Sequence, residues 1–311
     1  DQRIADLGDA RWEPSEEGDR RSNTALHWVA VRGWQEQSFV ALARVLIDHG
    51  ADVDAMGYNP NKGVASAVVL AAWEGELEVL TLLLEAGADP NRPASAETAL
   101  YCAIEHTDPD APEPNKVSVL LQHGARHDVF TASMTGQTDL VETLLDEYEP
   151  LIERRSLKRG RTPLEEAVSY GRWQTAERLV ARGAAVSIHA ASAMGRTDLV
   201  AQILDSDPTA QMEATDDSQE TPLLIAARHG RDTIVELLLA CGADASTQNR
   251  WQITALYEAV TSDNAQAVAL LLKAGADASA QDRAGKKAFE YADPENRLLL
   301  EVIADYERRN R

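Results

Sequence analysis

Hydrophobic residues along this chain recur in paired short runs, and a glycine closes each run. The clearest pair extends from Thr221 to Ser246 and reads TPLLIAARHGRDTIVELLLACGADAS. Apolar positions at helical spacing predict one short helix ending at Gly230 and a second ending at Gly242. Thr221 is placed to cap the first helix, and Pro222 occupies its first position, where a missing N–H costs nothing. The pattern therefore predicts a helix–turn–helix repeat.

The same repeat recurs along the chain. Its spacing of about 33 residues is typical of a helical solenoid. Two longer gaps of 59 residues each divide into a short and a long repeat. The short repeats are predicted near 128–150 and 187–208, without the hairpin that otherwise precedes the first helix. A Gly-Ala pair ends the second helix at Gly50, Gly87, Gly124, Gly183, Gly242 and Gly275.

The repeat resembles the ankyrin repeat, whose core reads T-P-L-H-x-A and whose second helix ends in G-A-D. Similar first helices begin at Thr24, Ser66, Thr98, Thr162 and Thr254. The resemblance covers nearly the whole chain and implies an all-α ankyrin-repeat solenoid with almost no extended sheet. We expect an acidic N-terminal arm or cap at 1–21, eight repeats at 22–281 and a C-terminal capping repeat at 282–311.

Three insertions interrupt the repeats, and insertions in a solenoid form surface loops. Trp34–Phe39 and Thr107–Pro114 lengthen links between paired helices, and Met56–Val64 enlarges the hairpin before the second repeat. Either these loops have no role in binding, or they form part of a binding edge.

The chain is strongly acidic, with 30 Lys and Arg against 51 Asp and Glu, for a net charge of −21. This charge argues against binding to nucleic acid or to anionic membranes. No run of 18 apolar residues predicts a membrane span. Cys102 and Cys241 lie in helical contexts and are expected to be buried free thiols. Because arginine outnumbers lysine, the composition favours a bacterial source.

No catalytic or ligand-binding motif stands out from the sequence. It contains no nucleophile elbow, P-loop, zinc-protease motif, EF-hand loop or cysteine-rich metal spacing. We therefore expect no catalytic residue, cofactor or metal. His123 and His127 have a metal-like interval, but imidazoles also favour the negative end of a helix. His27 and His189 match the histidine of the repeat motif, and the resemblance implies that they bond neighbouring backbone.

The resemblance implies protein binding through hairpin tips and through the exposed end of each first helix. These positions carry aromatic residues, methionines and arginines, which are enriched at the centres of interfaces. Packing within the core is the alternative for Met134, Met194, Trp73 and Trp251. The predicted partner-binding residues are Arg32, Trp73, Glu74, Met134, Arg159, Arg161, Tyr170, Met194, Arg228, His229, Arg250 and Trp251.

Two hairpins carry opposite charge. They either neutralise one another or leave the basic hairpin for an acidic partner segment. The basic one, before the fifth repeat, contains Arg154, Arg155, Lys158, Arg159 and Arg161; the acidic one, before the seventh, contains Glu213, Asp216, Asp217 and Glu220.

We expect a monomeric, non-enzymatic scaffold or adaptor that binds a partner's loop or peptide along the concave groove of repeats 2–8. Two alternatives stay open: a regulatory ankyrin domain that is linked to or inhibits an enzyme, and an exported effector. Because no signal peptide is visible, the cytoplasm is the expected location. The chain begins with Asp1 and not Met, however, so a periplasmic or secreted protein stays open.

Overall fold

The computed structural model describes residues 24–32, 38–59, 63–92, 98–107, 112–157, 159–206 and 219–309. The chain divides into two compact units, an N-terminal unit at Asp1–Leu179 and a C-terminal unit at Val180–Arg311. Its described part is mainly helical, which confirms the predicted all-α fold class. No described helix is long and apolar enough to cross a membrane.

Among the residues that the structure describes, five successive helix pairs begin in the N-terminal unit, and the last helix extends two residues beyond it. Each first helix of these pairs packs against the first helix of the next pair, from α1 through α3, α5 and α7 to α9. The helices are α1 (Ala25–Arg32), α2 (Ser38–Asp48), α3 (Ala67–Trp73), α4 (Leu77–Glu85), α5 (Ala99–His106), α6 (Lys116–Gln122), α7 (Val129–Thr135), α8 (Thr138–Glu147), α9 (Pro163–Ser169) and α10 (Trp173–Ala181), with a 3-10 turn at Glu149–Glu153.

The C-terminal unit repeats this arrangement. Its first helices pack in the order α11, α13 and α15, and a 3-10 turn at Ala288–Tyr291 packs on α15. A final longer helix packs on α16. The helices are α11 (Ile188–Met194), α12 (Thr197–Ser206), α13 (Pro222–Arg228), α14 (Asp232–Ala240), α15 (Ala255–Thr261), α16 (Ala265–Lys273) and α17 (Arg297–Arg309).

Small residues allow the first helices to lie side by side. Ala71, Ala103, Ala226 and Ala259 are all fully buried. Gly75, which follows α3, has no room for a side chain, because a Cβ there would collide with the carbonyl oxygen of Ala30 on the preceding first helix. The buried core of each unit consists mainly of Ala, Leu, Val and Ile.

Threonine side chains cap several first helices, as the sequence predicted for Thr221. Thr98, Thr162, Thr221 and Thr254 each accept the backbone N–H three residues further on. In the two short repeats the capping residues are Asp128 and Ser187. Only six residues separate α6 from α7, and only six separate α10 from α11. The chain thus turns directly into these two first helices.

Extended structure is confined to a small part of the described chain. Strands β1 (Met56–Asn59) and β2 (Gly63–Ser66) form an antiparallel pair in which Met56 lies opposite Ser66. The insertion before the second repeat is therefore an enlarged hairpin, as predicted. Isolated bridges link Gln248 with Thr254 and Gln281 with Lys287.

The two cysteines differ in burial. Both are free thiols, and Cys102 is buried in α5. Cys241 is exposed, so the prediction that it belongs to the core was wrong. The reason is its position: it is the C-cap of α14, one residue beyond the helix, where the chain turns toward Gly242.

The assigned core predicts that two leucines contribute very differently to the free energy of unfolding. Leu238 is fully buried, whereas Leu157 is 73% exposed. Leu238→Ala should lower the free energy of unfolding by ~2–5 kcal/mol because it leaves a cavity. Leu157→Ala should change it by less than ~0.5 kcal/mol. Urea unfolding followed by circular dichroism measures both, and equal losses would contradict the assigned core.

Candidate functional site

Two neighbouring first helices in the N-terminal unit end in a pair of aromatic rings. Trp73 is the last residue of α3 and is partly buried against the core. Its ring centroid lies 6.0 Å from that of His106, the last residue of α5, at an interplanar angle of 53°. Glu74, next to Trp73, is exposed. The structure thus holds the Trp73 ring in place while leaving part of it accessible.

A guanidinium–carboxylate pair links the basic hairpin of repeat 5 to repeat 3. The Nε and Nη2 atoms of Arg159 donate to Glu105 Oε1, at 3.1 and 2.5 Å. The Glu105 side chain is only 5% exposed. Because the short repeat between them has no hairpin, Arg159 can extend back to α5. The sequence left two alternatives for the basic hairpin, pairing with the acidic hairpin or with an acidic partner segment. The pairing of Arg159 with Glu105 is neither of these.

Two further arginines of the basic hairpin are hydrogen-bonded within their own repeat. Arg161 donates from Nη1 to Ser169 Oγ at 2.6 Å, and Arg155 donates to the carbonyl oxygen of Gly160 at 2.6 Å. Lys158 in this hairpin, and Glu213, Asp216 and Asp217 in the acidic one, lie outside the described residues.

A buried carboxyl group lies beside this pair. Glu166 in α9 is fully buried, and its Oε1 accepts a hydrogen bond from the Tyr101 hydroxyl at 2.8 Å. Its Oε2 has no hydrogen-bond partner among the described residues. Burial raises the pKa of Glu166, although the Tyr101 hydrogen bond and the nearby arginines oppose the rise. Burial likewise raises the pKa of Tyr170.

Arg159 itself stays charged in this setting. Burial alone would lower its pKa, but the charge of Glu105 and the hydrogen bonds to it outweigh that effect and raise the pKa. Glu105 and Glu166 were not singled out from the sequence. Their burial depends on contacts 54 and 65 residues apart, which helical periodicity does not reveal.

In the C-terminal unit, Arg228 joins two carboxylates. Its guanidinium donates to both oxygens of Glu220 and, at 2.6 Å, to Glu258 Oε1. Asn249 Nδ2 adds a longer hydrogen bond to Glu220, at 3.3 Å. Burial would lower the pKa of Arg228, but the hydrogen bonds that it donates to the two carboxylates, and their charges, raise it. Arg228 therefore links the hairpin residue Glu220 to α15. Its side chain stays partly exposed.

His229 lies beside Arg228 and is partly buried. Burial lowers its pKa, and the charges of Arg228 and Arg231 lower it further. A neutral imidazole is therefore favoured at neutral pH.

The hairpin before α15 presents an ordered cation–aromatic pair. The Arg250 guanidinium lies 4.2 Å from the centroid of the Trp251 ring. Asn249 Oδ1 accepts the backbone N–H groups of Trp251 and Ile253, which fixes the turn. Arg250 is exposed and Trp251 is partly buried. This tip is accessible, as the sequence pattern predicted.

Some predicted contact residues need correction. Met134 is fully buried in the core of the N-terminal unit, so its prediction as a contact residue was wrong. It lies in α7, which packs against the first helices α5 and α9. Met194 is partly buried. Arg32 ends α1, but its side chain lies outside the described residues.

The histidines singled out from the sequence have structural contacts. His27 Nε2 is 3.1 Å from the Ala65 carbonyl oxygen, and His189 Nε2 is 3.0 Å from that of Glu220, which confirms their predicted backbone bonding. His123 Nδ1 contacts the Val119 carbonyl oxygen at 2.9 Å, within its own helix end. Across the described parts of the chain, no cluster of three or more His, Cys, Asp or Glu residues could hold a metal ion.

The sequence did not predict a cleft that the structure shows in the N-terminal unit. Of the residues that line it, only Tyr170 was among the predicted partner-binding residues. The cleft has a volume of about 260 Å³ and lies where repeats 3, 4 and 5 meet. The 59-residue periodicity relates one of its lining residues, Arg172, to a second arginine but does not indicate a cleft. Arg172 and Arg231 are related by this interval, and each follows the glycine after a first helix. Side chains that line the cleft include Ile104, Val117, Leu121, Thr135, Tyr170 and Arg172.

Comparison with known proteins gives a family match and two partial relatives. Residues 9–94 and 187–282, more than half of the chain, match a family described as ankyrin repeats (3 copies). A stretch of 60 residues is 42% identical to the serine/threonine-protein kinase VIK of Arabidopsis thaliana, covering 19% of this chain and 14% of the kinase. A stretch of 97 residues is 35% identical to the BCL-6 corepressor-like protein 1 of Homo sapiens, covering 30% of this chain and 5% of that protein.

The buried carboxyl group of Glu166 predicts a pH-dependent stability. Its pKa is raised from 4.5 in the folded chain, so its contribution is fully present below pH 4.5 and is lost as pH rises through the folded pKa. Glu166→Gln keeps an acceptor for Tyr101 but removes the titration. The variant should therefore gain stability relative to the parent chain between pH 4 and pH 8.

Urea unfolding at one-unit pH steps measures this difference. Glu236→Gln is the matched control, because Glu236 is exposed and the same substitution there removes a solvated carboxylate. A Glu166→Gln stability difference that stays constant from pH 4 to pH 8 would contradict the assignment.

Proposed function

Because the chain belongs to the ankyrin-repeat family, whose repeats form protein–protein interaction modules, we propose that it is a non-enzymatic binding module. It holds a loop or peptide of a protein partner against the ends of its first helices and its hairpin tips. Within the N-terminal unit this surface includes Trp73 and Tyr170, and within the C-terminal unit it includes Arg250 and Trp251.

One observation carries the proposal: the aromatic side chains at these positions are ordered and partly accessible. Trp73 lies against His106, and Trp251 lies under the Arg250 guanidinium. A side chain that is already held in place loses little conformational entropy when a partner binds. Tryptophan, tyrosine and arginine are also the residues that most often anchor an interface.

The arginines of the surface have two different roles in this proposal. Arg159 and Arg228 are bonded to buried carboxylates, so they position the edge and contribute less of their charge to a partner. Arg250 is exposed and keeps its charge accessible beside Trp251. Partner binding therefore depends more on the aromatic side chains than on a general basic surface.

A regulatory module that acts on an enzyme is the second candidate. The partial match to a protein kinase favours it, although the matched stretch is only 14% of that kinase. Under this alternative the bound partner is itself an enzyme, or a part of the same polypeptide. The mass of the native protein in its source cells, measured by immunoblotting, distinguishes a longer polypeptide from a separate partner.

Photo-crosslinking tests where the partner binds. A benzophenone amino acid replaces Trp73, Tyr170 or Trp251 in one set of variants. It replaces Glu85 or Glu236, which are exposed on second helices, in the control set. In extracts of the source organism, the first set should capture one common protein and the control set should not. Capture of that protein by the control positions alone would contradict the proposal.

Titration calorimetry with the isolated partner then measures the free energy of binding for each variant. Tyr170→Ala and Trp251→Ala should each weaken binding by ~1–4 kcal/mol, the range of interface anchors. Glu236→Ala should leave the affinity unchanged. Normal affinity in both aromatic variants would show that the surface has been misassigned.

A further inference from the structure

The cleft in the N-terminal unit combines an apolar wall with a single cationic group. Ile104 at the end of α5 and Val117 and Leu121 in α6 supply the apolar side chains. Leu121 is 38% exposed. Tyr170 and Arg172, which flank Gly171 after α9, also line the cleft.

A hydrogen bond from Nε holds the Arg172 guanidinium in place. Its Nε donates to the Met134 carbonyl oxygen at 2.9 Å, so the guanidinium is anchored to the end of α7. Gly136 leaves space for the stem, since a Cβ there would lie 3.1 Å from Arg172 Cδ. Among the described residues, none accepts a hydrogen bond from the two terminal amino groups of Arg172.

The carboxylate of Glu113 also lines the cleft, but its hydrogen bonds are with Asn115. Glu113 accepts hydrogen bonds from the Asn115 backbone N–H at 3.3 Å and from Asn115 Nδ2 at 3.1 Å. Asn115 in turn caps α6. Glu113 therefore supports the start of that helix and forms no ion pair with Arg172. A guanidinium in such a position favours an added carboxylate, which it can bind through two parallel hydrogen bonds.

We propose that this cleft binds one large apolar side chain of a partner peptide, with an adjacent Glu or Asp pairing with Arg172. A volume of about 260 Å³ is below the roughly 300–1,000 Å³ of sites for drug-sized ligands, so a single side chain is the fitting occupant. The inference rests on the proposed function and specifies the chemistry of the bound segment.

The C-terminal unit provides a matched control for Arg172. Arg231, 59 residues further on, donates from Nε to the Ala193 carbonyl oxygen at 2.9 Å. Its Cδ lies 3.2 Å from where a Cβ on Gly195 would be. A substitution at Arg231 therefore removes the same backbone contact without touching the cleft.

Fluorescence polarisation with synthetic peptides tests the inference on the full chain. The probes are labelled nine-residue peptides of Gly and Ser whose centre is Leu-Glu, Leu-Gln, Ala-Glu or Ala-Gln. The Leu-Glu peptide should bind most tightly, and each single change should weaken binding about tenfold, the expected loss for one charge-assisted contact or one buried leucine.

Variants then assign the preference to the cleft. Arg172→Gln should abolish the preference for Glu over Gln, whereas Arg231→Gln should keep it. Leu121→Glu should abolish the preference for Leu over Ala, and it should fold because Leu121 is partly exposed. Thermal melting of each variant confirms folding.

Three results would overturn the inference: no binding of any peptide, equal binding of Leu-Glu and Leu-Gln, or an unchanged preference in Arg172→Gln. Each is distinguishable from failure of the proposed function. A partner captured through Trp251 with no peptide preference at the cleft would leave the binding module intact and remove only this site.

Discussion

Side-by-side packing of short first helices is the constraint on which each unit depends. A helix of seven or eight residues is too short to be stable alone in water, and it cannot bury its apolar face without a neighbour. Buried alanines such as Ala71 and Ala226 allow neighbouring helices to approach closely. Because every repeat relies on the next, stability within a unit is distributed over many equivalent contacts.

This packing also determines where charge can be buried. The first helices end beside one another, so a carboxylate on one lies within reach of an arginine from another repeat. Glu105 with Arg159 and Glu258 with Arg228 are two examples, with N–O distances of 2.5 and 2.6 Å. A buried carboxylate is costly unless it is paired, so these contacts hold the edge in one arrangement. Under the proposed function, that order is what would make the nearby aromatic side chains suitable anchors.

Local sequence determines most of the fold. The Thr-Pro pair at Thr221 and Pro222 predicted the start of α13, and the 59-residue spacing predicted two repeats without a leading hairpin. The positions of Trp73 and Tyr170 near helix ends also followed from the repeat phase. These features depend on residues close together in the chain, which a sequence pattern can reveal.

The contacts between repeats did not follow from the sequence. Met134 occupies a position that faces outward in the general pattern, yet α7 is enclosed by α5 and α9 and buries it. Arg159 reaches α5 only because the repeat between them is short. The cleft beside Arg172 likewise requires three repeats to come together. Such features depend on three-dimensional distances that the helical period leaves undetermined.

Hydrogen–deuterium exchange of the chain, free and bound to its isolated partner, tests the central claim most directly. If the first-helix ends and hairpin tips form the binding surface, the partner should slow exchange at 99–106, 163–172 and 250–254. Exchange at 232–240, on a second helix, should stay unchanged. Protection confined to the second helices, with no change at those three segments, would contradict the account.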